Sequence, residues 1–177
     1  GIRDRSPSRG LGDVYKRQGV INSIKNNAKL GKGDWTVLEA DESDGSFLKL
    51  PINYSVVTNI DHEHLDFYKN YELLKKAFIK FIDKTPAIGK AIICSDNQDL
   101  KKILKSTKTN NFLTYGFNDT PNFKITNVKY NLENTSFNLI IKIYGSKKIT
   151  IKNIILKLLG KYNVLNATAS IAISLSI

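Results

Sequence analysis

Two short apolar runs, Trp35 to Leu38 and Tyr54 to Val57, each break off into a polar cluster. This repeated device constrains the fold more than any other feature of the chain. After the first run come Glu39, Asp41, Glu42 and Asp44; after the second come Thr58, Asn59, Asp61, His62, Glu63, His64 and Asp66. Apolar, β-branched runs of about four residues predict buried parallel strands. In open α/β sheets, ligands bind just beyond the carboxyl ends of such strands. The pattern therefore predicts two strands side by side, with acidic and imidazole clusters gathered at one sheet edge. Such an edge suits a divalent cation and a phosphate-bearing substrate.

Further along, Leu73, Leu74, Ala77, Phe78, Phe81 and Ile82 recur at helical spacing between Lys69 and Lys84, with lysines on the outer face. Pro86 and Gly89 end that helix. Lys90 to Cys94 reads as a third strand, Ser95-Asp96 as the cap of a helix over 98–106, and Phe112 to Tyr115 as a fourth strand ended by Gly116. From Asn122 to Leu158 the pattern changes to period-two alternation, broken at Tyr144-Gly145-Ser146-Lys147. This predicts a small, separate, three-stranded antiparallel sheet. Gly160 opens a last helix from Asn163 onward. The fold class expected is α/β: a mostly parallel sheet flanked by helices, plus the small antiparallel sheet at 122–158.

Residues 1–18 stand apart. They hold every arginine of the chain (Arg3, Arg5, Arg9 and Arg17), and all later basic residues are lysines. The expectation is a foreign leader before a partial domain at 19–177 that is cut at both ends. The chain has 177 residues, 41% hydrophobic and 24% charged, which is globular composition. The net charge of +11 raises the possibility of a nucleic-acid-binding module. Its lysines, however, are scattered as on solvated helix faces, with no arginine–aromatic signature for RNA. No apolar run is long enough for a membrane span. The single cysteine, Cys94, lies in an apolar run and fits a reducing compartment.

Each cluster has a plainer reading. The acids after Leu38 could form a solvated turn, or fix a carboxylate for Mg²⁺. His62 and His64 have a spacing seen in zinc sites, but they are the only histidines, so acids alone would have to complete a zinc shell. Asn163 could hydrogen-bond an adenine edge or serve as a helix cap. The chain contains no G-x-x-x-x-G-K-[ST] phosphate loop and no convincing nucleophile–base set.

Taken together, EADESDGSF (39–47), VVTNIDHEHLDFY (56–68), KKAFIKF (75–81), LTYGF (113–117) and LGKYNVLNATASIA (159–172) resemble the ATP-dependent Mur ligases of peptidoglycan synthesis, and among them the alanine-adding branch. The resemblance covers about residues 19–177. It implies a P-loop-type central ATP-binding domain and a bacterial, cytoplasmic enzyme using ATP and Mg²⁺. The implied reaction joins L-alanine to UDP-N-acetylmuramate through an acyl phosphate. Other amino-acid-adding ligases and folylpolyglutamate synthase are the related alternatives. By resemblance, Glu39 holds Mg²⁺ near the γ-phosphate, and His64 serves a second cation. Asn163, Asn166 and Tyr162 lie on the adenine side. The family usually has histidine where this chain has Tyr162, and often proline where it has Leu159. The resemblance places the family's phosphate loop upstream of residue 19, so this chain by itself is expected not to catalyse ligation.

Overall fold

The computed structural model describes residues 14–21, 25–30, 33–118 and 120–177. The chain forms two compact units, divided between Glu42 and Ser43.

The first unit carries three strands: β1 (Val14–Ile21), β2 (Asn26–Leu30) and β3 (Thr36–Leu38). Their order is β2-β1-β3, with β1 antiparallel to β2 and parallel to β3. The break expected at residue 18 thus falls inside β1, whose Val14, Tyr15 and Lys16 pair with Thr36, Val37 and Leu38. Residues 1–13 lie outside the described residues. β3 is also not the buried strand expected from its apolar sequence. It is three residues long, and Val37 is 54% exposed.

The second unit is organised by one mixed sheet in the order β4-β5-β6-β7-β8-β9. These strands are β4 (Tyr54–Val57), β5 (Lys90–Cys94), β6 (Phe112–Gly116), β7 (Phe123–Tyr130), β8 (Thr135–Ile141) and β9 (Ile149–Leu156). β3 and β4 therefore belong to different sheets, which corrects the expectation of two neighbouring strands. β4 is the edge of its own sheet, and this leaves Val56 37% exposed. β5 is the strand buried on both faces: Ala91, Ile92, Ile93 and Cys94 are all enclosed. That is what a central parallel strand between helix layers requires.

The crossover β4 to β5 runs through α1 (Leu65–Tyr68) and α2 (Tyr71–Asp83); the crossover β5 to β6 runs through α3 (Gln98–Ile103) and a 3-10 turn at Leu104–Ser106. α2 buries Leu74, Ala77, Phe78, Phe81 and Ile82 of the stripe expected from its periodicity, whereas Leu73, also expected there, is 40% exposed. Phe47, on a 3-10 turn (Ser46–Lys49), packs its ring 5.5 Å from Phe78 and 4.9 Å from Phe81. Lys84, placed on a solvated face by its sequence, instead donates from Nζ to the carbonyls of Leu48 and Leu50 at 2.8 and 2.7 Å. The cap of α3 is Asn97 rather than Ser95-Asp96, its Oδ1 accepting from Leu100 N at 2.9 Å. Asp96 is engaged elsewhere: its carboxylate accepts from the backbone N–H groups of Phe117 and Asn118. That approach leaves no space at Gly116, where an added Cβ would come within 2.5 Å of Asp96 Oδ1.

The three alternating strands form as expected, but not as a separate sheet. β7 pairs parallel with β6 over two residues, Tyr115↔Phe123 and Gly116↔Lys124, and runs on past it. Asn122 fixes this join: Thr114 N donates to its Oδ1 at 2.9 Å, and its own N–H donates to Thr114 Oγ1 at 3.2 Å. The last helix, α4 (Lys161–Ser174), contacts strands from β4 to β8 and buries Val164, Leu165, Thr168, Ala169 and Ala172. The small residues let the helix lie close to the sheet. Among the described residues, no helix is long and apolar enough to cross a membrane.

Candidate functional site

The turn that leaves the carboxyl end of β4 carries the residues with most chemistry. Ile60 is buried and anchors it, while Asn59, Asp61, His62 and Glu63 are exposed around it. Asn59 donates from Nδ2 to Asp61 Oδ2 at 2.5 Å. His64 sits at the cap of α1 in the left-handed region, with φ 56 and ψ 29, and its carbonyl accepts from Phe67 N and Tyr68 N. A positive φ is uncommon for a residue with a side chain, although histidine is among the types that tolerate it. Such backbones persist only where the surroundings fix them, and they concentrate at functional sites. The His64 ring is half-buried and lies 3.9 Å from the Glu63 carboxylate.

Three other segments close around this turn. Asn97, at the head of α3, donates from Nδ2 to Ile60 O at 3.4 Å. Tyr71, in the first turn of α2, stacks its ring under the His62 imidazole, with centroids 3.5 Å apart and planes at 17°. The Tyr71 hydroxyl donates to Asp99 Oδ2 at 2.8 Å, tying α2 to α3. Gly45, in the loop that continues the acidic segment, lies against Phe67 of α1, where an added Cβ would come within 3.1 Å of the ring. Its φ of +70 also favours glycine. The loop after the acidic segment therefore packs, at Gly45, against the ring of Phe67.

The electrostatics follow from these contacts. Burial pushes the Tyr71 hydroxyl up from its ordinary value, and the bond to Asp99 adds to the shift. The same bond, chiefly, holds the Asp99 carboxyl below the usual carboxylate range. In the acidic segment, hydrogen bonds from Ser46 lower Asp44, whose Oδ1 accepts from Ser46 N at 2.8 Å.

The remaining expected site residues are placed as follows. Glu39 is exposed and directly follows β3, in the first unit; His64 belongs to the second unit. Tyr162 is 81% exposed in the first turn of α4, and Asn166 is exposed one turn later. Asn163 is not the cap of α4; Gly160 holds that position. Asn163 Nδ2 donates back to Leu159 O at 2.7 Å, which leaves the amide oxygen and the second N–H able to meet a base edge. Lys161 places its ammonium 5.3 Å from the centroid of the Phe117 ring, so α4 begins beside the turn that follows β6. Sequence reasoning missed Tyr71, Asn97 and Asp99. Tyr71 lies within the expected helix but outside its apolar stripe, and the Asn97-x-x-Leu100 spacing was available as a cap signal.

Among the described residues, no three His, Cys, Asp or Glu side chains cluster as metal ligands. Mg²⁺ asks for less of a protein, one or two carboxylates, with phosphate oxygens and water completing its octahedron.

Comparison with known proteins gives this geometry a family. Residues 16–174 match the model of the Mur ligase middle domain. The chain belongs to the Mur ligase family. It is 51% identical over 159 residues to the UDP-N-acetylmuramate–L-alanine ligase of Pelagibacter ubique, covering 90% of this chain and 34% of that protein. Among solved structures of the Mur ligase family, the UDP-N-acetylmuramate–alanine ligase of Thermotoga maritima superposes with a TM-score of 0.71 at 22% identity, over 94% of this chain and 36% of the other. The MurF ligase of the same organism, solved in complex with ADP, superposes with a TM-score of 0.59 at 21% identity, over 85% and 34%. The chain spans about a third of the length of the curated Mur ligases it matches. The six-stranded mixed sheet with flanking helices is thus the Mur ligase middle-domain fold.

Proposed function

We propose that this chain is the ATP-binding portion of a cytoplasmic ligase that joins L-alanine to UDP-N-acetylmuramate. The observation that carries this reading is the 51% identity over 159 residues to a protein named for that reaction. In the reaction, an oxygen of the muramate carboxylate attacks the γ-phosphorus of ATP and ADP leaves. The alanine amine then attacks the acyl carbon, the phosphate departs with the acyl oxygen, and the amine loses a proton as the amide forms. Carboxylate and triphosphate repel each other, so the site has to offset negative charge more than it has to supply a nucleophile. Mg²⁺ supplies that positive charge when bound.

In this reading Glu39 and His64 hold cations at the triphosphate. Asn163 and Asn166 face the adenine, and Tyr162 stacks or hydrogen-bonds there in place of the histidine usual in the family. The exposed Glu39, the half-buried His64 and the unbonded half of the Asn163 amide are consistent with these roles.

Phosphate release from ATP, measured with UDP-N-acetylmuramate and L-alanine, tests the proposal. The full-length Pelagibacter relative should turn over. Replacing its counterpart of Glu39 with alanine should lower kcat/KM on the order of a hundredfold or more, since a cation contact supplies several kcal/mol of charge stabilisation. The present chain should show no turnover, because it contains no phosphate loop. Turnover by the relative that survives the substitution would remove Glu39 from the site. Turnover by this chain that vanishes in Glu39→Ala would show that the phosphate loop is dispensable.

A further inference from the structure

The turn at 58–64 has to hold His64 in a left-handed backbone while its side chain stays accessible. On its α1 side, the His64 carbonyl accepts from Phe67 N and Tyr68 N. On the other side, the turn is also held from outside. Asn97 grips the carbonyl of Ile60 from the head of α3. Two residues beyond Ile60, the imidazole of His62 lies flat on the ring of Tyr71. The ring of Tyr71 is itself held at two points: its hydroxyl is bonded to Asp99, and the ammonium of Lys75 lies 5.0 Å from its centroid. Lys75 is in turn paired with Glu72, one helical turn back. A ring bonded at its hydroxyl and covered by a cation is a well-held platform, and stacked aromatic pairs contribute beyond the area they bury. His62 itself is exposed, so burial alone does not explain its placement.

We propose that Tyr71 is a positioning residue for His64: by carrying the His62 ring on a phenol anchored to Asp99, it holds the turn that presents the His64 imidazole to its ligand. The inference rests on the reading of His64 as a cation-binding residue. Side chains that orient a metal ligand typically change metal affinity ten- to a hundredfold when removed.

This chain has two histidines, His62 and His64, so its imidazole resonances can be followed in the intact polypeptide without labelling ambiguity. The probe is Mn²⁺ alone, at fixed pH. The His62 ring protons should lie upfield of free histidine because they sit over the Tyr71 ring. The His64 Cα and Cβ shifts should report a left-handed backbone. Tyr71→Phe keeps the ring and should preserve the His62 shift. Tyr71→Leu should abolish it, move the His64 Cα and Cβ shifts, and raise about tenfold the Mn²⁺ concentration that half-broadens His64. His62→Ala, a surface change that leaves the core untouched, should reproduce both effects on His64 if Tyr71→Leu fails to fold. Unchanged His64 shifts and unchanged broadening in His62→Ala would overturn the proposal. Altered His64 shifts in that variant, with no Mn²⁺ broadening even in the parent chain, would uphold the positioning role and overturn the cation reading instead.

Discussion

Tyr115 is the largest side chain fully enclosed among the described residues, and the Cys94 thiol alongside its hydroxyl is at best a weak hydrogen-bond partner. Burial, with the Cys94 thiol alongside, pushes that hydroxyl far above its ordinary pKa. An enclosed hydroxyl with no better partner than a thiol destabilises the folded state by its lost hydration. Tyr115→Phe should therefore leave stability unchanged or raise it by up to about 1 kcal/mol. Urea unfolding with an unchanged m-value measures this. A loss beyond about 1 kcal/mol would show that the hydroxyl has a better partner than the thiol after all. At this scale the sequence was legible only where a residue type implies its own chemistry. The two histidines and the acids after each apolar run are visible as candidates without any coordinates. The left-handed φ of His64 has no such signature, because nothing local demands it. Nor did Asn163 reveal that it lies inside α4 and bonds backward to Leu159, since an asparagine beside a helix start reads as a cap.

The helix starts show how one side chain can serve two elements. Asn70 caps α2 by accepting from Leu73 N at 2.9 Å. Asn97 caps α3 in the same way but also holds the carbonyl of Ile60. Loss of a capping side chain typically destabilises by about 1 kcal/mol. Asn70→Ala should show that loss, and Asn97→Ala about 1 kcal/mol more for the second bond. Equal losses in denaturant titrations of the two variants would mean that the Ile60 contact contributes nothing. Elements with strong periodicity were legible: β5 at Lys90–Cys94, the buried stripe of α2, and the alternation of β7, β8 and β9. Their connections were not. The join between β6 and β7 depends on two paired residues and on the side chain of Asn122, too little to alter a pattern of alternation. β3 misled for the opposite reason. Its apolar letters promise burial, yet a three-residue strand paired to β1 has its side chains in solvent.

On the scale of the whole molecule, the sheet of the second unit has two halves built by different connections. β4, β5 and β6 pair in parallel, so each pairing spans a crossover: Tyr54 pairs with Lys90, and Ala91 with Phe112. β7, β8 and β9 pair antiparallel through short turns, with Tyr130 opposite Thr135 and Ile141 opposite Ile149. The class of this architecture was legible, because an alternation of strand and helix followed by alternating strands leaves few options. The merging of both halves into one sheet was not. Contacts close in sequence lose little chain entropy on closing, and hairpins form in about 1–10 μs, whereas crossovers must first bring distant segments together. The meander from Phe123 to Leu156 should accordingly acquire protection first during refolding, and the parallel strands later. Pulse-labelled hydrogen exchange would register this order directly; amides of β5 protected ahead of those of β8 would refute it. The two-residue overlap at Tyr115 and Gly116 then becomes a seam in time: the early-forming meander gives β6 the edge on which to dock, so the slow half of the sheet is templated by the fast one.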